Sequence, residues 1–164
     1  MLRGHQKRVR APGKNRKQTV FGAWCYGHGL FCHYTQPRKT AWGFRMLLPQ
    51  LVRRAKRTGR RIVLVMDQGN PHHAKALHHD LQLVKDRIEV FWLPHYCPEL
   101  NLIERLWKHL KGSRMSNVLF GNFRHFTRHL GEALSDFAQN PDFTIGLAAP
   151  DCRQANRKML LVGT

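Results

Sequence analysis

Residues 62–66 read Ile-Val-Leu-Val-Met, and the next residue is Asp67. A strand with one wet face alternates apolar and polar side chains; a strand that is apolar at every position has both faces covered. Three of these five residues are β-branched, and the run is far too short to cross a membrane. The segment therefore predicts a central strand in an α/β sheet with helices on both sides. In open α/β sheets, ligands bind beyond the carboxyl ends of the strands. Asp67 stands at such an end, where a rigid element presents it to solvent, which suits a metal ligand. An Asp that opens a turn by bonding the local backbone suits the same position. Gly69, just beyond, allows a phosphate or a loop to approach closely.

The remaining elements follow from period and punctuation. Two short strands, near residues 19–24 and 29–34, flank Gly27-His28-Gly29 and predict a hairpin. A helix is predicted from about Thr40 to Lys56, with Leu47, Leu48, Leu51 and Val52 as its apolar stripe and Arg53, Arg54, Lys56 and Arg57 at its basic end. Pro49 falls inside it, which predicts a kink or a later start. A helix over residues 74–86, a strand over 88–93, a rigid loop between Pro94 and Pro98, and a helix over 99–111 come next. Leu100, Ile103, Trp107 and Leu110 share one face of that helix, and Gly112-Ser113 should end it. A last helix spans about 123–137, and beyond Pro141 no period is evident. The order β-β-α-β-α-β-α-α implies a mixed sheet with helices packed on it.

Charge narrows the partners. The chain of 164 residues carries 28 Lys+Arg against 10 Asp+Glu, a formal net charge of +18. No Asp or Glu precedes Asp67, whereas sixteen Lys or Arg do. Such a field attracts polyanions, nucleic acid above all, and predicts steeply salt-dependent binding. A basic coat without a specific partner is the alternative. A hydrophobic share of 42% excludes disorder as the default, and the basic N-terminus lacks an apolar core that would make it a signal peptide. The expectation is a soluble, cytoplasmic protein with no membrane partner, its four scattered cysteines remaining free thiols.

Glu104 lies four residues after Leu100 and three before Trp107, on the edge of the apolar stripe. From there its carboxylate either looks across the core boundary toward the sheet or pairs with Lys108 at i,i+4. His72 and His73 either assist a site at Asp67 or cap the helix that begins near Ala74. Cys25, His28, Cys32 and His33 fit no zinc-finger spacing and are better explained as alternating strand positions. His78 and His79 read as solvated helix residues. Trp24, Trp42, Trp92 and Trp107 could stack bases, but Trp92 and Trp107 fall at core-facing positions.

Two longer stretches tie the acids together. Val65-Met-Asp-Gln-Gly-Asn-Pro-His-His-Ala-Lys75 and Leu93-Pro-His-Tyr-Cys-Pro-Glu-Leu-Asn-Leu-Ile-Glu-Arg-Leu-Trp-Lys108 closely resemble two signature blocks of bacterial insertion-sequence transposases of the mariner-related superfamily, the DDE type. The first resembles the strand ending in the family's second catalytic Asp, with a His five residues on, which points to Asp67 and His72. The second resembles the block whose Glu is the third catalytic acid, which points to Glu104. Thirty-six residues lie between the two acids, a gap the family also uses. Met1-Leu-Arg-Gly-His-Gln-Lys-Arg-Val-Arg10, Pro12-Gly-Lys-Asn15 and Phe21-Gly22 resemble the segment after the family's first strand. The chain departs from the family at Gln68, where Asn is usual, at Pro94-His95, where two prolines are usual, and at Asn101-Leu102, where Asn-Pro is usual.

The resemblance implies an α/β, ribonuclease-H-like mixed sheet flanked by helices, its first strand missing or incomplete. It implies a partial catalytic domain over residues 1–140 and a tail, 141–164, of unassigned fold. The implied chemistry is metal-dependent DNA strand cleavage and strand transfer, with two Mg²⁺ (or Mn²⁺) held by carboxylates because hard cations prefer oxygen. The implied partners are transposon ends and target DNA, and a homodimer is left open. Asp67 and Glu104 would be catalytic and metal-binding, with His72 assisting. Lys7, Arg8, Arg10, Lys14, Arg16, Lys17, Lys108, Lys111 and Arg114 would meet DNA. The family's first Asp sits upstream of a hairpin like the one predicted here, and no acidic residue precedes Asp67. On its own the chain is therefore expected to be catalytically impaired. The alternative is an inactive, basic DNA-binding remnant of a decayed element.

Overall fold

A computed structural model describes residues 16–26, 28–68, 75–95, 97, 100–148 and the backbone of 159–163. Five strands form one mixed sheet: β1 (Thr19–Cys25), β2 (Phe31–Gln36), β3 (Ile62–Met66), β4 (Ile88–Trp92) and β5 (Met159–Gly163), in the spatial order β2-β1-β5-β3-β4. The β1–β2 hairpin is antiparallel, with Gly22 opposite His33. β3 and β4 run parallel, with Met66 beside Trp92. β5 comes last in the chain yet lies in the middle, antiparallel to β1 and parallel to β3.

Both faces are covered, as the unbroken apolar run of β3 requires. Leu64 and Met66 face one core with Phe21, Ala23, Leu47, Leu51, Leu77 and Ile88. Helices α1 (Ala41–Arg45), α2 (Leu48–Thr58) and α3 (Lys75–Leu83) supply that side. Val65 faces the other core with Trp24, Phe31, Ile103, Trp107, Leu134 and Phe137, built by α4 (Ile103–His109), α5 (Phe123–Gln139) and α6 (Pro141–Ala148). Adjacent strand residues thus go to opposite cores, as the two-residue period demands. Among the described residues no helix is long and apolar enough to cross a membrane.

The structure corrects three expectations. The single helix over 40–56 is two helices, because Pro49 has no N–H to donate and its ring excludes a preceding turn; it sits in the first turn of α2, where no donor is needed. The helix over 99–111 starts later, at Ile103, and is not broken at Gly112-Ser113 but continues as a π-helical stretch, Leu110–Met115. Leu100 therefore precedes the helix, out of its phase, and is 51% exposed rather than part of the apolar face. Beyond Pro141 there is regular structure after all. α6 shows no period because tertiary bonds hold it: Trp24 Nε1 donates to the buried Thr144 hydroxyl at 3.1 Å, and Thr144 donates to the Gly29 carbonyl at 2.7 Å. Gly29 has φ 63°, and a Cβ there would come within 2.1 Å of the Pro141 carbonyl oxygen, so only glycine lets α6 dock on the hairpin.

Candidate active site

Asp67 follows β3 directly and, by the alternation that sends Val65 toward α4, stands on the α4 side of the sheet. The strand end is fixed on both flanks. Leu93 N–H donates to the Met66 carbonyl at 2.8 Å, and the Gln68 amide donates to the Leu93 carbonyl at 3.0 Å. Gln68, where the resembling family usually has Asn, thus ties the end of β3 to the end of β4.

Glu104 lies in the first turn of α4, its N–H bonded to the Asn101 carbonyl at 2.9 Å. Ile103, Leu106, Trp107 and Leu110 anchor that helix in the core. Trp107 does so by lying close over a glycine: a Cβ on Gly22 would meet its Cη2 at 2.6 Å. The helix is thereby drawn against β1 and β5, and Glu104 is carried toward the strand ends. Burial pushes the Glu104 carboxyl above its ordinary value; Lys111 opposes the shift, the negative charge of Asp67 adds to it, and Lys39 opposes it. The charge of Asp67, far from Glu104 in sequence, therefore acts on the Glu104 carboxyl in the fold. Glu104 is partly buried, and the charges acting on it are those of Lys111, Asp67 and Lys39.

Both donors are carboxylate oxygens on rigid elements, a donor set that suits a hard divalent cation. Among the described residues no group of three or more His, Cys, Asp or Glu is arranged to hold a metal ion. Cys32 packs against the α2-side core, while His33, next in the strand, stacks on Phe31 with ring centroids 5.6 Å apart on the opposite side. Burial pushes the Cys32 thiol up to about 11 and lowers the His33 imidazole.

The basic residues are distributed unevenly. Lys7, Arg8, Arg10, Lys14 and the proposed assistant His72 lie outside the described residues. Arg16 and Lys17 are exposed, with the Arg16 guanidinium carbon 5.5 Å from the centroid of the Phe123 ring. Lys108 and Lys111 are exposed along α4 and its π-helical extension. Arg114 instead pairs with Asp136 at 3.5 Å. Lys39 was missed in the sequence; it lies in the turn after β2, and only folding brings its charge to Glu104. Trp24 and Trp107 are buried and Trp92 is partly buried, while Trp42 is 55% exposed beneath the Arg45 guanidinium. A separate cleft of 300 Å³ lies on the opposite face of the sheet, lined by Arg61, His78, Lys85, Glu89 and Trp92 among others.

Comparison with known proteins gives this pair of acids a context. The family model for DDE superfamily endonucleases matches residues 1–127. The chain belongs to that family. This DDE endonuclease chain is 32% identical over 143 residues to the 39 kDa protein of insertion element IS630 from Shigella sonnei, an alignment covering 83% of the chain and 40% of that protein. It is 27% identical over 129 residues to protein y4pE/y4sA of Sinorhizobium fredii (strain NBRC 101917 / NGR234), covering 72% of the chain and 88% of that protein. The chain thus spans well under half the length of the first relative and most of the second. Among solved structures, a chain of the simian T-cell lymphotropic virus intasome in complex with the PP2A regulatory subunit B56 gamma aligns with a TM-score of 0.37 and 16% identity, over 83% of this chain and 52% of that one.

Proposed function

We propose that this DDE endonuclease chain forms the carboxylate-bearing core of a transposase catalytic domain, acting on transposon ends and target DNA. The observation that carries the reading is that the charge of Asp67, at the carboxyl end of β3, acts on the partly buried Glu104 carboxyl, with thirty-six residues between them in sequence. The mixed sheet, with its antiparallel hairpin, parallel β3–β4 pair and helices on both faces, supports a ribonuclease-H-like reading of the fold.

Asp67 and Glu104 would hold divalent metal, Mg²⁺ or Mn²⁺. Bound there, the metal would polarise a phosphodiester and lower the pKa of an attacking water or hydroxyl. The chain's own residues do the positioning. β3 fixes Asp67, and the Trp107–Gly22 contact fixes the helix that carries Glu104. Glu104 is partly withdrawn from solvent where that helix packs. Lys108 and Lys111, exposed on the same helix and its extension, are placed to meet the phosphate backbone. Arg16 and Lys17 extend that surface, and Lys7, Arg8, Arg10, Lys14 and His72 remain candidates for DNA contact and assistance.

Two carboxylates hold a pair of divalent cations poorly, so the chain alone is expected to bind DNA and cleave it weakly or not at all. Mg²⁺-dependent nicking of supercoiled plasmid tests this. Robust nicking abolished by Asp67→Ala would support the site but overturn the shortfall of acids. Robust nicking indifferent to both Asp67→Ala and Glu104→Ala would overturn the site.

A further inference from the structure

The cleft between α3 and β4 is not used by the two acids. Its volume of 300 Å³ is at the small end of ligand-binding cavities. Two periods set its walls. His78, Leu81 and Gln82 come from one face of α3, and Ile88, Val90 and Trp92 come from alternate positions of β4. Leu81 and Ile88 are buried and supply its apolar part. Because β4 is an edge strand, the cleft lies along an open side of the sheet. Its two ends differ in chemistry. Trp92 and His78 meet at one end, with ring centroids 6.2 Å apart and planes 30° apart. Arg61 and Lys85 stand at the other. Arg61 immediately precedes β3, whose register sets Ile62 beside Ile88, about 13 Å along the strand from Trp92. We propose that this cleft binds a nucleotide unit of single-stranded DNA, its base stacked on Trp92 and His78 and a neighbouring phosphate held by Arg61 and Lys85.

Three features carry this. First, Trp92 occupies a core-facing strand position yet is only partly buried, and it lines the cleft. An indole face accepts any base, because every base has a π-face. Second, the Arg61 guanidinium is held loosely. It donates to the Lys85 carbonyl at 3.4 Å and pairs with Glu89 at 3.4 Å, both side chains of that pair being 60% exposed. So exposed a pair contributes little to stability. A phosphate, which can accept two parallel N–H bonds from a guanidinium, displaces Glu89 at small cost. Third, the charge around that end favours a polyanion. Arg60 and Arg87 are exposed as well, and with Arg61 and Lys85 they outnumber Asp86 and Glu89 by four to two. Such a spread of cations suits successive phosphates of a strand better than one free nucleotide. A duplex keeps its bases stacked on one another and offers no free base face to so small a cleft. The inference does not rest on the metal reading of the two acids, which lie on the other side of the sheet.

The probe is a short oligothymidylate with a single 5-iodouracil in place of one thymine, irradiated with the full chain. The iodouracil loses its iodine and attaches to an aromatic ring that it stacks on, and peptide mass mapping locates that ring. The expected attachment is at Trp92 or His78. Attachment confined to other aromatic residues, such as the exposed Trp42, overturns the proposal. Two surface variants test the phosphate end without disturbing the core. Lys85→Gln should lower the yield at Trp92 and His78 roughly tenfold at limiting strand, the scale of one charged hydrogen bond. Glu89→Gln should raise it, because no carboxylate then competes for Arg61. Equal yields in the parent and both variants overturn the proposal. Thymidine monophosphate at the same nucleotide concentration should leave the attachment in place; its loss would assign the cleft to a free nucleotide and overturn the strand. The same iodouracil within a duplex should give no attachment there, and an equal yield from the duplex would overturn the single-stranded occupant. No readout here needs metal or cleavage, so failure of the transposase reading would show separately, in the nicking assay.

Discussion

A carboxylate half withdrawn from water destabilises the fold that withdraws it, unless a cation offsets the loss. Glu104 is in that position: burial raises its pKa from 4.5, with Asp67 adding to the shift. The sign follows directly. A raised folded-state pKa means that the protonated form is favoured, so the stability linked to this group is full below 4.5 and is lost as pH rises through the folded value. Glu104→Gln, which mimics the protonated form, should therefore melt higher than the parent at neutral pH, and the difference should vanish below pH 4.5 in a series of thermal melts. Equal melting temperatures at neutral pH would contradict the burial of this carboxylate. Excess Mg²⁺ should raise the melting temperature of the parent and leave Asp67→Asn and Glu104→Gln unmoved, since a ligand stabilises only the state that binds it. Gly22 is the other residue on which the site depends. Gly22→Val adds a Cβ only 2.6 Å from the Trp107 ring, and should cost ~1–3 kcal/mol of overpacking strain, read as a lower urea midpoint with unchanged slope.

At the scale of elements, the legible pieces were those whose signal is local. The β3 run, the hairpin and the α5 period needed no partner to be recognised. Pro49 could be read as a break, but not that the chain would restart as a second helix after only two residues, Met46 and Leu47. α6 was illegible because its hold is a buried hydrogen-bond chain rather than a stripe. Trp24, Thr144 and Gly29 meet across more than a hundred residues of sequence. Thr144→Val keeps the shape and removes the hydroxyl, leaving the Trp24 indole N–H and the Gly29 carbonyl without that partner. The expected loss is ~1–3 kcal/mol, measurable as a shift in denaturant midpoint; a loss near zero would mean that water replaces the bond. A second long-range link, the forked pair of Arg45 with Asp80, joins α1 to α3 on the opposite side of the sheet.

For the whole molecule, the charge of +18 is the dominant fact, and folding decides which cations are free to act. Lys108 and Lys111 are exposed beside Glu104, whereas Arg114 spends part of its charge on Asp136. Affinity for a short DNA duplex should fall steeply as salt rises. Lys108→Gln and Lys111→Gln should each reduce the logarithmic salt slope by about 0.9, the share of one released counterion. Arg114→Gln should reduce it less. Fluorescence anisotropy across a salt series gives these slopes, and an unchanged slope in the Lys108→Gln, Lys111→Gln double variant would remove α4 from the DNA surface.

The sequence alone determined the nature of the two acids' surroundings. An apolar run ending on Asp67, an amphipathic segment carrying Glu104 at its edge, and a basic excess are local facts, set by side-chain chemistry and period. Their resemblance to transposase blocks named a family that the match over residues 1–127 then established. What only the tertiary structure decided is which groups share a neighbourhood. It brought Glu104 within reach of Asp67's charge, recruited Lys39, tied Gln68 to Leu93, and placed the last five-residue strand between the first and third. None of these has a sequence period, because each depends on where the sheet closes its hydrogen bonds rather than on what any one segment prefers.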